Sequence, residues 1–121
     1  MQHASKLGVI AENKAIEYLE SGGYSVISRN WRKPWGEIDI IARKDGILVF
    51  VEVKAGRTGG FVPELHADNR KMHKVLRTAL SYLSAKKIQA EQEWRIDVIA
   101  ITLDDREAVR HLNHYENIEF S

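Results

Sequence analysis

The sequence predicts an α/β fold: a central mixed sheet of four or five strands, with one helix before the first strand and another between a hairpin and a later strand. Three observations lead there. An Asp45-Gly46 pair stands between two β-rich runs, the strongest short-range signal for a hairpin. Ile47 to Val51 is an unbroken apolar run, the mark of a strand covered on both faces. Two further segments, about Lys6 to Ser21 and Asn69 to Ser84, carry apolar residues at helical spacing.

Length and composition bound the rest. The 121 residues fit one domain spanning 1–121, long enough for a core that needs no covalent staples. Cysteine is absent, which removes disulfide frameworks and thiolate metal sites from consideration. Net charge is +1 with 29% charged residues, so a nucleic-acid contact has to come from local basic patches. Met1 to Lys6 lacks the apolar core of a signal peptide and no run reaches the length of a membrane span, so a cytoplasmic protein with no membrane partner is expected.

The first helix is expected to start at an N-cap, Ser5, and to stop at Gly22-Gly23. On a helical wheel Gly8, Val9, Glu12, Ala15, Ile16 and Leu19 share one face with Glu12 at its centre. A carboxylate buried there is costly unless it is paired or binds a metal. Three readings stand: Glu12 meets a metal, Glu12 pairs with an Arg or Lys of the sheet, or the helix is rotated so that Leu7, Ile10 and Tyr18 pack instead. Gly8 is expected to let the helix approach the sheet closely.

Tyr24 to Trp31 reads as the first strand, and Arg32-Lys33-Pro34-Trp35-Gly36 as the turn that follows. Arg29, Arg32 and Lys33 alternate with Trp31 and Trp35. That pattern suits a grip on a phosphate backbone with a stacked base, and equally a pair of tryptophans capping the core.

A two-residue type I′ loop at Asp45-Gly46 sets Lys44 against Ile47, Asp39 against Glu52 and Glu37 against Lys54. Like charges facing across strands, with Cβ atoms ~5 Å apart, destabilise a sheet. A divalent cation with oxygen ligands, with Lys54 as a second positive charge, is the simplest neutraliser. The alternative is a polar stripe on a solvent-facing edge hairpin.

Beyond Lys54, Ala55 to Phe61 reads as a glycine-rich loop without fixed order, either closing over a phosphate through its N–H groups and Arg57 or simply connecting. The second helix is expected to take Asp68 as its N-cap. Met72, Val75, Leu76, Ala79 and Leu83 form its core stripe, Arg70, Lys74 and Arg77 a solvated outer face, and Lys71 lies on the flank. Trp94 to Ile101 reads as a core strand with Arg95, Asp97, Ile99 and Ile101 on one face. Leu103 to Arg106 turns the chain into an edge strand from Ala108 to Leu112. His111 and His114 have zinc-like spacing, but no cysteine or further histidine pattern accompanies them, and no zinc site is expected.

Leu7-Gly8, Ala11-Glu12, Ala15, Gly23-Tyr24, Arg29-Asn30-Trp31-Arg32, Gly36-Glu37-Ile38-Asp39 and Val49-Phe50-Val51-Glu52-Val53-Lys54 follow one another in a recognisable order, continued by Lys71 and Arg95 to Ala100. Together they resemble the YraN-type family, uncharacterised proteins predicted to be endonucleases and similar to archaeal Holliday junction resolvases. The resemblance implies a restriction-endonuclease-like fold and a metal-dependent nuclease signature on Glu12, Asp39, Glu52 and Lys54. Asp39, Glu52, the backbone carbonyl of Val53 and, directly or through water, Glu12 would then hold Mg²⁺ or Mn²⁺. Lys54 would orient the attacking water or stabilise the transition state, with Glu37 pairing to Lys54 from outside the metal shell. The resemblance gives Lys71 a role near the site beside the nucleic-acid contacts Arg57, Arg32 and Lys33, and Asp97 a supporting role. DNA is the implied partner, with a branched form such as a Holliday junction as the finer expectation. Resolving a junction calls for a symmetric homodimer, for which Leu7, Ile10 and Tyr18 offer a surface. The opposing expectation is a non-catalytic nucleic-acid-binding module that keeps the fold. Two departures from the family pattern stand out: Ala55-Gly56 precede Arg57, where an arginine two residues after the lysine is usual, and Ala11 replaces a glycine before Glu12.

Overall fold

Ser5 opens the described chain by capping helix α1 (Lys6–Ser21), its hydroxyl accepting the Gly8 N–H at 2.9 Å. The computed structural model describes residues 5–60 and 69–119. Five strands follow α1 or flank the second helix: β1 (Ser25–Lys33), β2 (Gly36–Lys44), β3 (Ile47–Arg57), then α2 (Asn69–Ala85), β4 (Trp94–Leu103) and β5 (Val109–Tyr115). They form one sheet in the order β1-β2-β3-β4-β5. Its pairs are antiparallel except β3 with β4, which are parallel because α2 carries the chain back across the sheet. This five-stranded mixed sheet with two helices is the restriction-endonuclease-like arrangement that the resemblance implied. The predicted N-cap Asp68 and the loop residue Phe61 lie outside the described residues.

The helices cover opposite faces of the sheet. Ala11, Ala15 and Leu19 of α1 pack with Ile40, Ala42, Val49, Val51, Ile99, Ile101 and Leu103. Met72, Val75, Ala79 and Tyr82 of α2 pack with Ile38, Ile41, Leu48, Phe50, Ile96 and Val98. Leu48 to Glu52 are buried without a break, because each face of β3 has a helix over it. The gain from such burial is about 25 cal/mol per Å² of apolar surface, which explains why the two middle strands lose their polar alternation.

Three expectations are corrected. The buried stripe of α1 runs through Ala11, Ala15 and Leu19, while Val9 is 42% exposed. Glu12 therefore lies about 60° from the centre of that stripe, at the flank of the helix, since successive residues are about 100° apart. Small side chains seat the helix on the sheet, and the charged one stays at the margin. Leu7 and Ile10 pack against this core from the side of the stripe opposite Glu12, and Tyr18 bonds His114 at 2.9 Å. The close neighbour of Gly8 is not the sheet but the capping hydroxyl: a Cβ there would lie 3.1 Å from Ser5 Oγ. Finally, Ala55, Gly56 and Arg57 continue β3 as an ordered strand paired with Ile101, Thr102 and Leu103. The parallel ladder with β4 supplies the order that their glycine-rich sequence does not.

The hairpin adopts the predicted register. Asp45 and Gly46 have φ of 50° and 79°, the type I′ signature, and Lys44 pairs with Ile47. The β2–β3 ladder ends, however, at Ile40 opposite Val51. Beyond it Ile38 belongs to the α2 cluster and Ile40 to the α1 cluster, so the two-residue period of β2 breaks at Asp39. Asn30, opposite this break on β1, has φ of 55°, a conformation asparagine tolerates better than most residues. The irregular residues open the sheet where the site is built.

Candidate functional site

Where the ladder stops, a side chain takes over. Val53 N–H donates to Asp39 Oδ2 at 2.7 Å, so the Asp39 carboxyl fills the gap between β2 and β3. Glu52, the residue before Val53, is 2% exposed, and the Asp39 and Glu52 carboxyls lie within hydrogen-bonding reach of each other. Burial, then the charge and hydrogen bond of Glu52, and also Glu12, push the Asp39 carboxyl up to about 9, against the single lowering effect of the Val53 N–H. The pair therefore keeps a proton at neutral pH that neither acid would hold in water.

A lysine stands against this pair. Lys71, from the first turn of α2, places Nζ 2.8 Å from Glu52 Oε2. The contact is an ion pair off the line of a hydrogen bond, because that buried oxygen accepts none. Burial lowers the Lys71 ammonium, but the negative charge of Glu52, with that of Asp39 and Glu37, outweighs it and holds its pKa above the usual lysine value.

Two cavities meet at Asp39. The larger, about 420 Å³, is lined by Asp39, Glu52 and Glu37 together with Arg32, Lys33, Arg70, Lys71 and Lys74. The smaller, about 260 Å³, holds Asp39 with Glu12, Asn30, Val53 and Lys71. Arg70 and Lys74 are exposed, as expected of a solvated face, and they also form part of the cavity wall. Arg77 lies 4.2 Å over the ring of Trp35, which also lines the larger cavity. Gly36 makes this closeness workable, because a Cβ there would sit 3.0 Å from Thr78 Oγ1.

The remaining expected site residues separate into those the fold gathers and those it does not. Glu12 lines the smaller cavity, but its Oε1 is held by Arg29 Nη2 at 2.8 Å, Arg29 Nε at 3.1 Å and Asn30 Nδ2 at 3.0 Å. The sheet pairing foreseen as one alternative is therefore the one found, and it also engages Arg29. Glu37 pairs with Arg32 at 3.3 Å, and the β2–β3 ladder ends before the register that would set it opposite Lys54. Lys54 follows Glu52 on the same face of β3 and lines neither cavity. Arg57 is at the far end of β3, donating to the Asp104 carbonyl at 3.3 Å. Asp97 sits away from both cavities, bonded to Arg95, His114 and the Asn117 N–H. Its His114 partner also bonds Tyr18 and is committed to that network.

Sequence reasoning missed Asn30, Arg70 and Lys74 as parts of the site, and missed that Lys71 is the cation at Glu52. An asparagine before Trp31 is a signal for a left-handed residue that could have been used. No local pattern announces Lys71, whose contact with Glu52 depends on how α2 lies across the sheet.

The donors present suit a hard cation. Mg²⁺ binds through one or two carboxylates and retains water, so it does not need a cage made wholly of protein. Asp39 and Glu52 supply two carboxyls, and a strand residue points its carbonyl to the same side as its N–H, so the Val53 carbonyl is directed toward β2. The raised Asp39 carboxyl, beside a buried Glu52 Oε2 that accepts no hydrogen bond, leaves room for a further positive charge at this pair. Among the described residues no group of three or more His, Asp or Glu side chains is set to hold a metal.

The profile of the Uncharacterised protein family UPF0102 matches residues 11–101, the segment from α1 through β4 that builds this site. The chain belongs to UPF0102. Relatives in the family include UPF0102 proteins of Persephonella marina, 44% identical over 78% of this chain and 81% of the relative, and of Geobacter sulfurreducens, 42% identical over 95% and 89%. A third, of Roseiflexus castenholzii, is 39% identical over 91% of this chain and 90% of its own. The YraN-type resemblance read from the motifs is this family. Among the described residues of this UPF0102 chain no helix is long and apolar enough to cross a membrane.

Proposed function

We propose that this UPF0102 chain is a metal-dependent endonuclease that hydrolyses DNA phosphodiester bonds. The observation that carries the reading is the Asp39–Glu52 pair at the floor of a cavity rimmed by Arg32, Lys33, Arg70, Lys71 and Lys74. Cations at the rim suit a chain of phosphates, and paired acids at the floor suit a divalent ion that meets them. Asp39, Glu52 and the Val53 carbonyl would hold Mg²⁺ or Mn²⁺. Such an ion, when bound, supplies a more acidic water and offsets charge on the phosphoryl oxygens.

The chain's own groups do the rest. The Val53 N–H fixes the orientation of the Asp39 carboxyl. Arg32, held by Glu37, and Lys33, which lies 5.2 Å over the Trp31 ring, bind flanking phosphates from rigid positions at the end of β1. Lys71 is placed to offset the negative charge that grows at phosphorus. Glu12, tied to Arg29 and Asn30, acts on the site through its charge and not as a direct ligand. Lys54 keeps the Glu-x-Lys spacing on the same face of β3 as Glu52.

Branched DNA is the finer substrate class to try first, on the strength of the resemblance. With Mg²⁺ or Mn²⁺ the chain should cut at least one of linear duplex, flapped DNA or a four-way junction. Asp39→Ala and Glu52→Ala should each abolish cleavage while keeping the circular dichroism spectrum. Full activity in either variant would overturn the assignment.

One observation favours a second reading. Among the described residues no cluster of three acids or histidines is set for a metal, and Glu12 is occupied by Arg29, which suits a module that binds nucleic acid without cutting it. Calorimetric titration separates the two: DNA binding with neither Mn²⁺ binding nor cleavage belongs to the module.

A further inference from the structure

Glu52 is nearly sealed inside the sheet at 2% exposure, and its Oε2 has neither solvent nor a hydrogen bond. The charge facing that oxygen is the Lys71 ammonium at 2.8 Å. The Lys71 side chain is 55% exposed, so its stem stands in the open while its head reaches the floor of the site. The same lysine lines both cavities that meet at Asp39.

We propose that Lys71 is an internal counter-cation that holds the place of the divalent ion at Glu52 and yields it when the ion binds. The proposal rests on the metal reading above. An ammonium at 2.8 Å and an ion bonded at about 2.0–2.1 Å approach the same oxygen, and two cations in contact repel each other. Because Glu52 Oε2 has no open surface, an ion reaches it only after a covering group moves, and among the described residues the charged group in contact with it is Lys71. The displaced ammonium enters a cavity that already carries Arg32, Lys33, Arg70 and Lys74. A phosphate in that cavity relieves the crowding. Metal and phosphate therefore favour one another's binding through this side chain, and the coupling is reciprocal.

Calorimetric titration of Mn²⁺ into the full chain, Lys71→Met and Lys74→Met tests the idea without any cleavage readout. Lys71→Met should bind Mn²⁺ about tenfold tighter, the size of an ordinary coupling between sites. Lys74→Met removes a charge from the same cavity wall but not the ion pair, and should change affinity less than about threefold. Thymidine 5′-phosphate should tighten Mn²⁺ binding in the unmodified chain and do so less in Lys71→Met. Lys71→Gln should repeat the result and guards against a fault of one variant. Equal gains in Lys71→Met and Lys74→Met would overturn the proposal, since a general field and not the contact would be responsible. Unchanged or weaker binding in Lys71→Met would overturn it while leaving the metal reading standing. Absence of Mn²⁺ binding in all variants would remove the metal reading, and the proposal with it.

Discussion

Asp39 and Asp97 are aspartates on interior strands of one sheet, and the protein treats them in opposite ways. Asp97 is fully buried, yet Arg95 Nε at 3.0 Å, the Asn117 N–H at 2.9 Å and His114 Nε2 at 2.8 Å surround its carboxylate. Burial pushes Asp97 up, but His114, the Asn117 N–H and Arg95 together hold its carboxyl below the ordinary value. Asp39 has burial and two neighbouring acids pushing it up, and one N–H against them. A buried acid whose charge the chain itself neutralises is part of the frame. One left short of positive charge is prepared for a cation from outside.

The largest effect that tests this contrast is on the frame. Asp97→Ala should cost about 3 kcal/mol of stability in urea denaturation, because it strands Arg95 and His114 in a buried network. Its Mn²⁺ affinity should stay near that of the unmodified chain.

Asp39→Asn should do the reverse, adding on the order of 1 kcal/mol at pH 8 without metal while Mn²⁺ binding is lost. The sign follows from proton linkage. Asp39 has a pKa of about 9 in the folded chain against 3.8 ordinarily, so the folded state holds the extra proton and stability falls as pH rises from about 4 to about 9. The Asp97 carboxyl is lowered, so its contribution is present above the ordinary 3.8 and disappears as pH falls through the folded value. Asp39→Asn should flatten the alkaline limb of the stability profile and leave the acid limb in place. A destabilised Asp39→Asn would mean that both aspartates belong to the frame.

The smallest effect concerns Glu12. Its bonds to Arg29 and Asn30 lie at the protein margin, so Glu12→Ala should cost about 1 kcal/mol. Its Mn²⁺ affinity should change little. A large loss of metal binding would return Glu12 to the metal shell and bring it closer in kind to Asp39.

Much of the framework was legible in the chain because its signals are local. Ser5 before an apolar-periodic run, Gly22-Gly23 after it, and Asp45-Gly46 between β-rich runs each prescribe a backbone conformation within a few residues. Misreadings arose where a partner distant in sequence decided the outcome. Ala55 to Arg57 look like loop until β4 pairs with them. Glu12 looks central on the wheel until the small residues Ala11 and Ala15 seat the helix. Arg70 and Lys74 are exposed as expected, but only the placement of α2 beside the β1–β2 turn brings them to the cavity.

The sequence by itself determined the two helices, the hairpin register and the nearness of Asp39 to Glu52, because turn chemistry and side-chain periodicity act over a few residues. Tertiary structure alone decided how that pair is charged. The break in β2 at Asp39, the Val53 N–H that fills it, the removal of Glu12 to Arg29 and the arrival of Lys71 all depend on how separated elements pack. Electrostatics in a buried site is set by every charge within a few ångströms, and those charges come from distant parts of the chain.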